Sequence, residues 1–302
     1  MSSTRRSVDL APLDRNEPRD RCAELLGDFF ELSQRELISE RGVKARAYLE
    51  GRGLPAEMIE NSGLGLVPTP KHTREALTRA GYEEAEVTEA GVLSDSRWPG
   101  RLCGAWRDEY RQVGTLWART LSDDDSADTR YLYLRGRSRT NLPPYGLSDV
   151  LASRGEARRD LVLVEGVMDV HQLRAHGIEN AVALGGLGIQ PRTFERLARL
   201  GMKRLTLCFD RDEPGRTATA RAVEQATRAE QTPAVDVVDP DLLAPSKDPD
   251  AFIRERGVAA WHALLEEREC GIAWRATELI ADITPRSDQR ARCPTHRRCE
   301  RG

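Results

Sequence analysis

Four carboxylates occupy positions from which they could work on phosphate. Residues 161–164 read Leu-Val-Leu-Val and lead directly into Glu165 and Gly166, with Asp169 three positions on. A second apolar run, 181–184, ends in Gly185 and Gly186, and a third, Leu-Thr-Leu-Cys-Phe, delivers Asp210 and Asp212 with Gly215 close behind. Apolar runs of this length read as buried strands, and acids placed directly after them fall at strand ends, where a parallel α/β sheet gathers them into one crevice. Acids a few ångströms apart raise one another's pKa and resist ionising together. A divalent cation resolves that repulsion, and magnesium, or manganese in its place, favours carboxylate oxygens together with phosphate. The expected chemistry is therefore metal-assisted phosphoryl or nucleotidyl transfer.

The elements that position these residues can be read from periodicity. Strand and helix alternate from residue 161: a helix over 168–176, a strand at 181–184, a helix over 192–200, a strand at 204–209, a long helix over 215–230 and a strand at 234–238. That alternation predicts an α/β unit with a mainly parallel, Rossmann-like sheet covered on both faces. Upstream, Cys22, Leu25, Leu26, Phe29 and Phe30 recur at helical spacing, as do Ala45, Tyr48 and Leu49. Two short helices are expected around 72–90, followed by strand-like runs near 101–106, 113–119 and 130–134 and an acidic connection at 122–128. Helical segments return from 252 to 283. The chain is thus α+β overall, with a disordered stretch at 1–20, a mixed subdomain at 21–155, the α/β unit at 156–256, a helical segment at 257–284 and a basic tail at 285–302. Gly166, Gly185, Gly186 and Gly215 are expected to be structural, letting backbone pass close to the acids.

A second candidate feature is cationic. Arg130, Arg135, Arg137 and Arg139 fall within ten residues that contain no acid, with Tyr131 and Tyr133 among them. In an extended segment, alternation places Arg135, Arg137 and Arg139 on one face, where they could follow a phosphate backbone while the tyrosines offer stacking surfaces. His171 and His176 lie on an amphipathic helix and read as packing or surface residues.

Bulk properties narrow the class. The 302 residues carry a formal net charge of −3, so any nucleic-acid surface must be local. No apolar run reaches the roughly 18 residues of a membrane span, and the first twenty residues lack the apolar stretch of a secretion signal. A cytoplasmic protein with reduced cysteines and no membrane partner is expected. There is no Gly-x-x-x-x-Gly-Lys-Ser/Thr phosphate loop, which excludes a motor of that type.

The ordered set Glu165, Gly166, Asp169, Asp210, Asp212 and Gly215 resembles the TOPRIM domain of topoisomerases, DnaG-type primases and several nucleases. Further phrases resemble the primase catalytic core in particular. These are residues 43–66 with their Tyr-Leu and Arg-Gly-Leu, residues 81–93, the strand that opens at Gly100 and Arg101, the one that ends at Arg119, residues 130–136, and Tyr145-Gly146-Leu147. Lys247-Asp248-Pro249-Asp250 is similar to that family's last acidic motif. A lysine that the family carries shortly before its Tyr-Gly-Leu phrase has no counterpart in residues 140–144, where Arg139 is the nearest substitute.

The resemblance implies a primase that makes short RNA primers on single-stranded DNA from nucleoside triphosphates. Glu165 would assist proton transfer, and Asp210, Asp212, Asp248 and Asp250, with Glu165, would hold Mg2+ or Mn2+. Asp169 would complete the cluster. Arg101, Arg119, Arg130, Arg135, Arg137 and Arg139 would contact DNA or nucleotide. No zinc ribbon of that family is recognisable, so a catalytic core working with a replicative helicase or a separate zinc-ribbon subunit is expected. Cys293, His296 and Cys299 have ligand-type spacing but lack a fourth partner, so zinc is not expected as a cofactor. The alternatives are a TOPRIM nuclease acting on DNA or RNA through the same acids, and a non-catalytic DNA-binding replication subunit.

Overall fold

A computed structural model describes residues 20–122, 130–153 and 159–283. The tail that carries Cys293, His296 and Cys299 lies outside the described residues, as do the first nineteen residues and all but Ser122 of the acidic connection.

The chain starts with a long helix, α1 (Arg21–Ile38), capped by the Asp20 carboxylate, which accepts the N–H of Cys22. Its apolar stripe, including Leu25, Leu26, Phe29 and Phe30, is buried, because residues at this spacing share one helix face. That stripe packs on a four-stranded antiparallel sheet made of β1 (Gly65–Leu66), β2 (Leu102–Arg107), β3 (Val113–Arg119) and β4 (Tyr131–Tyr133), paired in chain order. Short helices α2 (Val43–Gly51), α3 (Ala56–Ile59), α4 (Pro70–Arg79) and α5 (Glu84–Ala90) fill the connections.

The second sheet has the order β6-β5-β7-β8-β9. β5 (Asp160–Val164) is an inner strand, next to the edge strand β6 (Ala181–Ala183); β6, β5, β7 (Arg204–Leu207) and β8 (Ala234–Val237) are mutually parallel, whereas the short β9 (Glu269–Cys270) is antiparallel to β8. Helices α6 (Leu147–Ala152), α7 (Val167–Ala175), α8 (Pro191–Arg199), α9 (Glu213–Ala226), α10 (Pro249–Glu266) and α11 (Gly271–Ile283) complete the unit. β5 has β6 on one side and β7 on the other, so the chain leaves β5 and β7 in different directions at their carboxyl ends. Such a switch point opens a crevice in parallel sheets.

The two sheets share one apolar core. Trp106 and Trp117 of the antiparallel sheet lie in the same buried cluster as Val162 and Val164 of β5 and Val170 of α7. Tyr145 seals the seam: its backbone bridges to Ala183, its ring packs edge-on to both tryptophans, and its hydroxyl is 2.7 Å from His171 Nε2. His171 Nδ1 is in turn 2.8 Å from the Ser62 carbonyl, so this buried histidine joins the two halves.

The helical segments expected over 252–283 are α10 and α11, with Gly257 at φ 76° inside α10 and β9 between the two. One expectation needs correction. The arginine-rich segment is extended only over Tyr131–Tyr133, because the chain turns at Gly136 with φ 77°. The three following arginines therefore do not share a face. Arg135 approaches Asp95 at 3.9 Å, Arg137 approaches Asp20 at 3.6 Å, and Arg139 folds onto Tyr133.

Candidate active site

Glu165 directly follows β5 and Asp210 lies three residues beyond β7, so the two acids reach the switch point from adjacent strands. Glu165 Oε1 accepts the main-chain N–H of Asp210 at 3.1 Å. Gly215 makes this approach possible: a Cβ there would lie 2.2 Å from the Asp210 carbonyl oxygen and 2.9 Å from Glu165 Oε1. Gly185 closes the other side with φ 59°, in the left-handed region, where a side chain would also strike the Trp106 ring. Its N–H donates to the Glu165 carbonyl at 2.9 Å. Its own carbonyl accepts from Tyr133 Oη at 2.9 Å and from Arg139 Nη1 at 2.5 Å.

The remaining acids sit at helix starts. Asp169 is in the first turn of α7 and accepts the Gly166 N–H at 3.0 Å; a Cβ on Gly166 would lie 2.8 Å from the same oxygen. Asp212 caps α9 through the Gly215 N–H at 2.8 Å, and Asp248 caps α10 through the Ala251 N–H at 2.7 Å. The sequence Asp-Pro at 248–249 and the Pro214 after Asp212 suit helix starts, where a missing N–H costs nothing. Positive ends of three helix dipoles thus accompany the acids.

The carboxylates act on one another's charge. Burial, then the charges of Glu165, Asp248 and Asp212, push Asp210 up to about 8. Asp169 is held well above the usual carboxylate range by burial, with Asp210, Asp250 and Asp248 adding repulsion. Glu165 is raised by burial, against the N–H of Asp210, which favours its anion. Asp210 Oδ1 is buried without a hydrogen-bond partner. A buried, unsatisfied carboxylate oxygen among like charges is the donor type and field that a hard divalent cation fits. No group of three or more His, Cys, Asp or Glu side chains stands assembled as a cation cage among the described residues.

The expected residues are not equivalent. Both oxygens of Asp250 are taken by guanidinium groups, Oδ1 by Arg254 Nε at 2.6 Å and Oδ2 by Arg52 Nη2. Asp250 is nearly fully buried in this pairing, so the expectation that it is a direct metal ligand does not fit the geometry; it anchors α10 to α2. Arg52, Arg254 and Arg211 were not among the candidate residues. Arg211 ties the two acidic motifs: its N–H donates to the Lys247 carbonyl at 2.7 Å, and its side chain donates to the carbonyls of Ser246 at 3.1 Å and Pro245 at 3.3 Å. Nothing in a one-dimensional pattern pairs Arg52 with an acid 198 positions away.

The expected basic residues do not gather in one place. Arg119 is buried between the rings of Tyr48 and Tyr131, at 5.2 and 5.8 Å. Arg101 donates to the carbonyls of Arg97 and Arg130, bracing the outer side of the sheet. Arg139 stacks on Tyr133 at 3.3 Å and stands nearest to the Glu165 segment through Gly185.

Residues 162–253 match the Toprim-like family, in agreement with the strand order and the acids at the switch point. The wider chain is similar in architecture to the DnaG primase catalytic core and similar in sequence to bacterial DNA primases. It is 29% identical over 279 residues to a DNA primase of Salmonella typhimurium, a match that covers 86% of this chain and 45% of that one. The chain thus spans less than half the length of that relative. The RNA polymerase domain of Mycobacterium tuberculosis primase DnaG superposes with a TM-score of 0.74 at 24% identity, covering 91% of this chain and 92% of that domain. A DnaG primase catalytic domain bound to ssDNA gives 0.70 at 24% identity, with 87% and 83% covered.

Proposed function

We propose that this protein is a DNA-directed RNA polymerase of the primase type, which makes short RNA primers on single-stranded DNA. The observation that carries the reading is the unsatisfied Asp210 Oδ1, set among Glu165, Asp212 and Asp248 at a switch point flanked by helix starts. The similarity to DNA primases supports nucleotidyl transfer over the other chemistry open to such acids.

Asp210, Asp212 and Asp248, with Glu165 beside them, are the residues that would hold Mg2+ or Mn2+. When bound, the metal offsets charge on the triphosphate and orients it for in-line attack. Glu165 is the proton acceptor for the attacking 3′-hydroxyl, since a carboxyl raised toward neutrality exchanges a proton readily. Asp169 holds the start of α7 in place through Gly166 and so fixes the backbone beside Glu165. Arg139, stacked on Tyr133, stiffens the Gly185 turn on the opposite wall. Template strand and nucleoside triphosphates are the ligands of this reading. A replicative helicase or a zinc-ribbon protein is the class of partner that would present the template, and the reaction belongs in the cytoplasm. No helix among the described residues is long and apolar enough to cross a membrane.

The test is incubation of the purified chain with labelled ribonucleotides, Mg2+ or Mn2+ and single-stranded DNA, followed by sizing of the products. Labelled oligomers that depend on both template and metal are expected. Shortened template with no labelled oligomer in any nucleotide condition would replace the primase reading with the nuclease one.

A further inference from the structure

A second opening runs beside the acidic crevice, along α8. Two adjoining depressions of about 430 and 510 Å³ share Thr140, Leu142, Pro143, Arg192 and Thr193 as walls. Arg192, Arg196 and Arg199 line the outer one; steps of four and three residues place them on one face of the helix. The other face carries Phe194 and Leu197, both fully buried, so the rotation of α8 is fixed by its core and the arginine face is held outward.

The arginines differ in what they do. Arg196 is built into the wall: it donates to the Asn141 carbonyl at 2.6 Å and pairs with Glu109. Arg192 touches the Thr140 carbonyl at 3.2 Å with one nitrogen and is otherwise exposed, and Arg199 is exposed. Glu109 is the only acid among the residues that line the outer depression. The inner depression reaches Arg139, whose guanidinium donates to the Gly185 carbonyl, and the Gly185 N–H donates to the carbonyl of Glu165. The two adjoining depressions thus form an arginine-lined groove along α8, whose inner end is tied to the Glu165 main chain through the Gly185 turn.

We propose that this groove is a track for the sugar-phosphate backbone of a nucleic-acid single strand, with Arg192 and Arg199 as its phosphate contacts. This rests on the primase reading, since it supplies a strand that must enter or leave the crevice. The chemistry selects the ligand. No aromatic ring lines the outer depression, so bases have no stacking platform there, and contact falls on the backbone, which is shared by all sequences. Clefts of this volume admit one backbone and not a duplex. Two exposed arginines seven positions apart on one face of α8 suit successive phosphates of an extended strand better than an isolated anion, which would need only one of them.

The experiment is a salt series of anisotropy titrations with a labelled oligothymidylate, using wild type, Arg192→Ala/Arg199→Ala and Glu109→Gln. For a single strand each phosphate contact contributes about 0.7 to the logarithmic salt slope, so the double variant is expected to lose about 1.4 of slope and to bind more weakly. Glu109→Gln is expected to bind more tightly, as a carboxylate beside the track is removed. Equal melting temperatures check that the variants are folded. A double variant with the wild-type slope overturns the groove and leaves the primase reading standing, as does a slope change confined to duplex DNA. A wild-type protein that binds no single strand at any salt concentration tested removes both.

Discussion

The main-chain N–H of Arg211 donates to the carbonyl of Lys247 at 2.7 Å, and through that bond the loop of Asp210 and Asp212 is locked to the loop of Asp248 and Asp250. The Arg211 guanidinium adds contacts to two further carbonyls of the same turn. The link is one of positioning, because the Arg211 guanidinium donates to carbonyls of that turn. Arg211→Ala keeps the main-chain bond and loses the other two, each worth about 1 kcal/mol where water does not replace it. The expected result is a several-fold higher Mg2+ concentration for half-maximal primer synthesis, with the rate at saturating Mg2+ close to wild type. Loss of the saturating rate with unchanged Mg2+ dependence would show instead that the guanidinium acts on substrate.

A pH dependence follows from Asp210. Its carboxyl is raised in the folded protein to about 8, so between the unfolded value and that point the folded state binds more protons than the unfolded one. Stability from this group is therefore fully present at pH below about 4 and is lost as pH rises toward 8. Asp169 and Glu165, also raised, add in the same direction. His171 opposes them: burial lowers it to about 4, so its protonation destabilises the fold as pH falls from about 6.5 to about 4. In chelator, Asp210→Asn should flatten the decline of melting temperature between pH 6.5 and 8, where His171 is silent. Parallel curves for wild type and variant would mean that Asp210 is not raised.

Glu165→Gln separates charge from shape. The amide oxygen can still accept the Asp210 N–H at the distance the carboxylate holds, so the fold should melt within a degree or two of wild type. Without a proton acceptor at this position, primer synthesis should fall by about two to four orders of magnitude. Product yield from labelled nucleotides gives the second quantity and thermal denaturation the first.

Much of this site was legible in sequence because strand ends and helix starts leave local marks. Glu165, Asp210 and Asp212 stand out by following apolar runs, whereas Asp248 stood out only through the resemblance of residues 247–250 to the family's last acidic motif. The strand limits near 102, 113, 131 and 160 follow for the same reason, since alternation and β-branched runs are local. What was not legible depended on the third dimension. One turn at Gly136 sends Arg135, Arg137 and Arg139 to three different neighbours, although alternation in an extended chain would align them. The same limit hid the partners of Asp250, whose motif looks like a ligand pair while its surroundings hold two guanidinium groups.

Asp250 offers the sharpest separation between a ligand and an anchor. Its carboxylate is buried and accepts from Arg52, just past the end of α2, and from Arg254 on α10, so removing its charge takes away the anion that these two guanidinium groups share. Breaking one side of a fully buried ion pair costs about 3–5 kcal/mol, and the cost is smaller here because Arg52 and Arg254 keep part of their surface in water. Asp250→Asn should therefore lower the melting temperature by several degrees in chelator, where no metal can contribute. Asp212→Asn in the same buffer should cost little, since an asparagine oxygen still caps α9 through the Gly215 N–H. With Mg2+ added, the order should reverse for metal affinity: the Asp212 variant should lose binding strongly and the Asp250 variant, assayed below its melting point, only modestly. Calorimetric titration with Mg2+ and melting curves in chelator supply both readouts. An Asp250 variant as stable as wild type in chelator, with metal binding abolished, would return Asp250 to the ligand set.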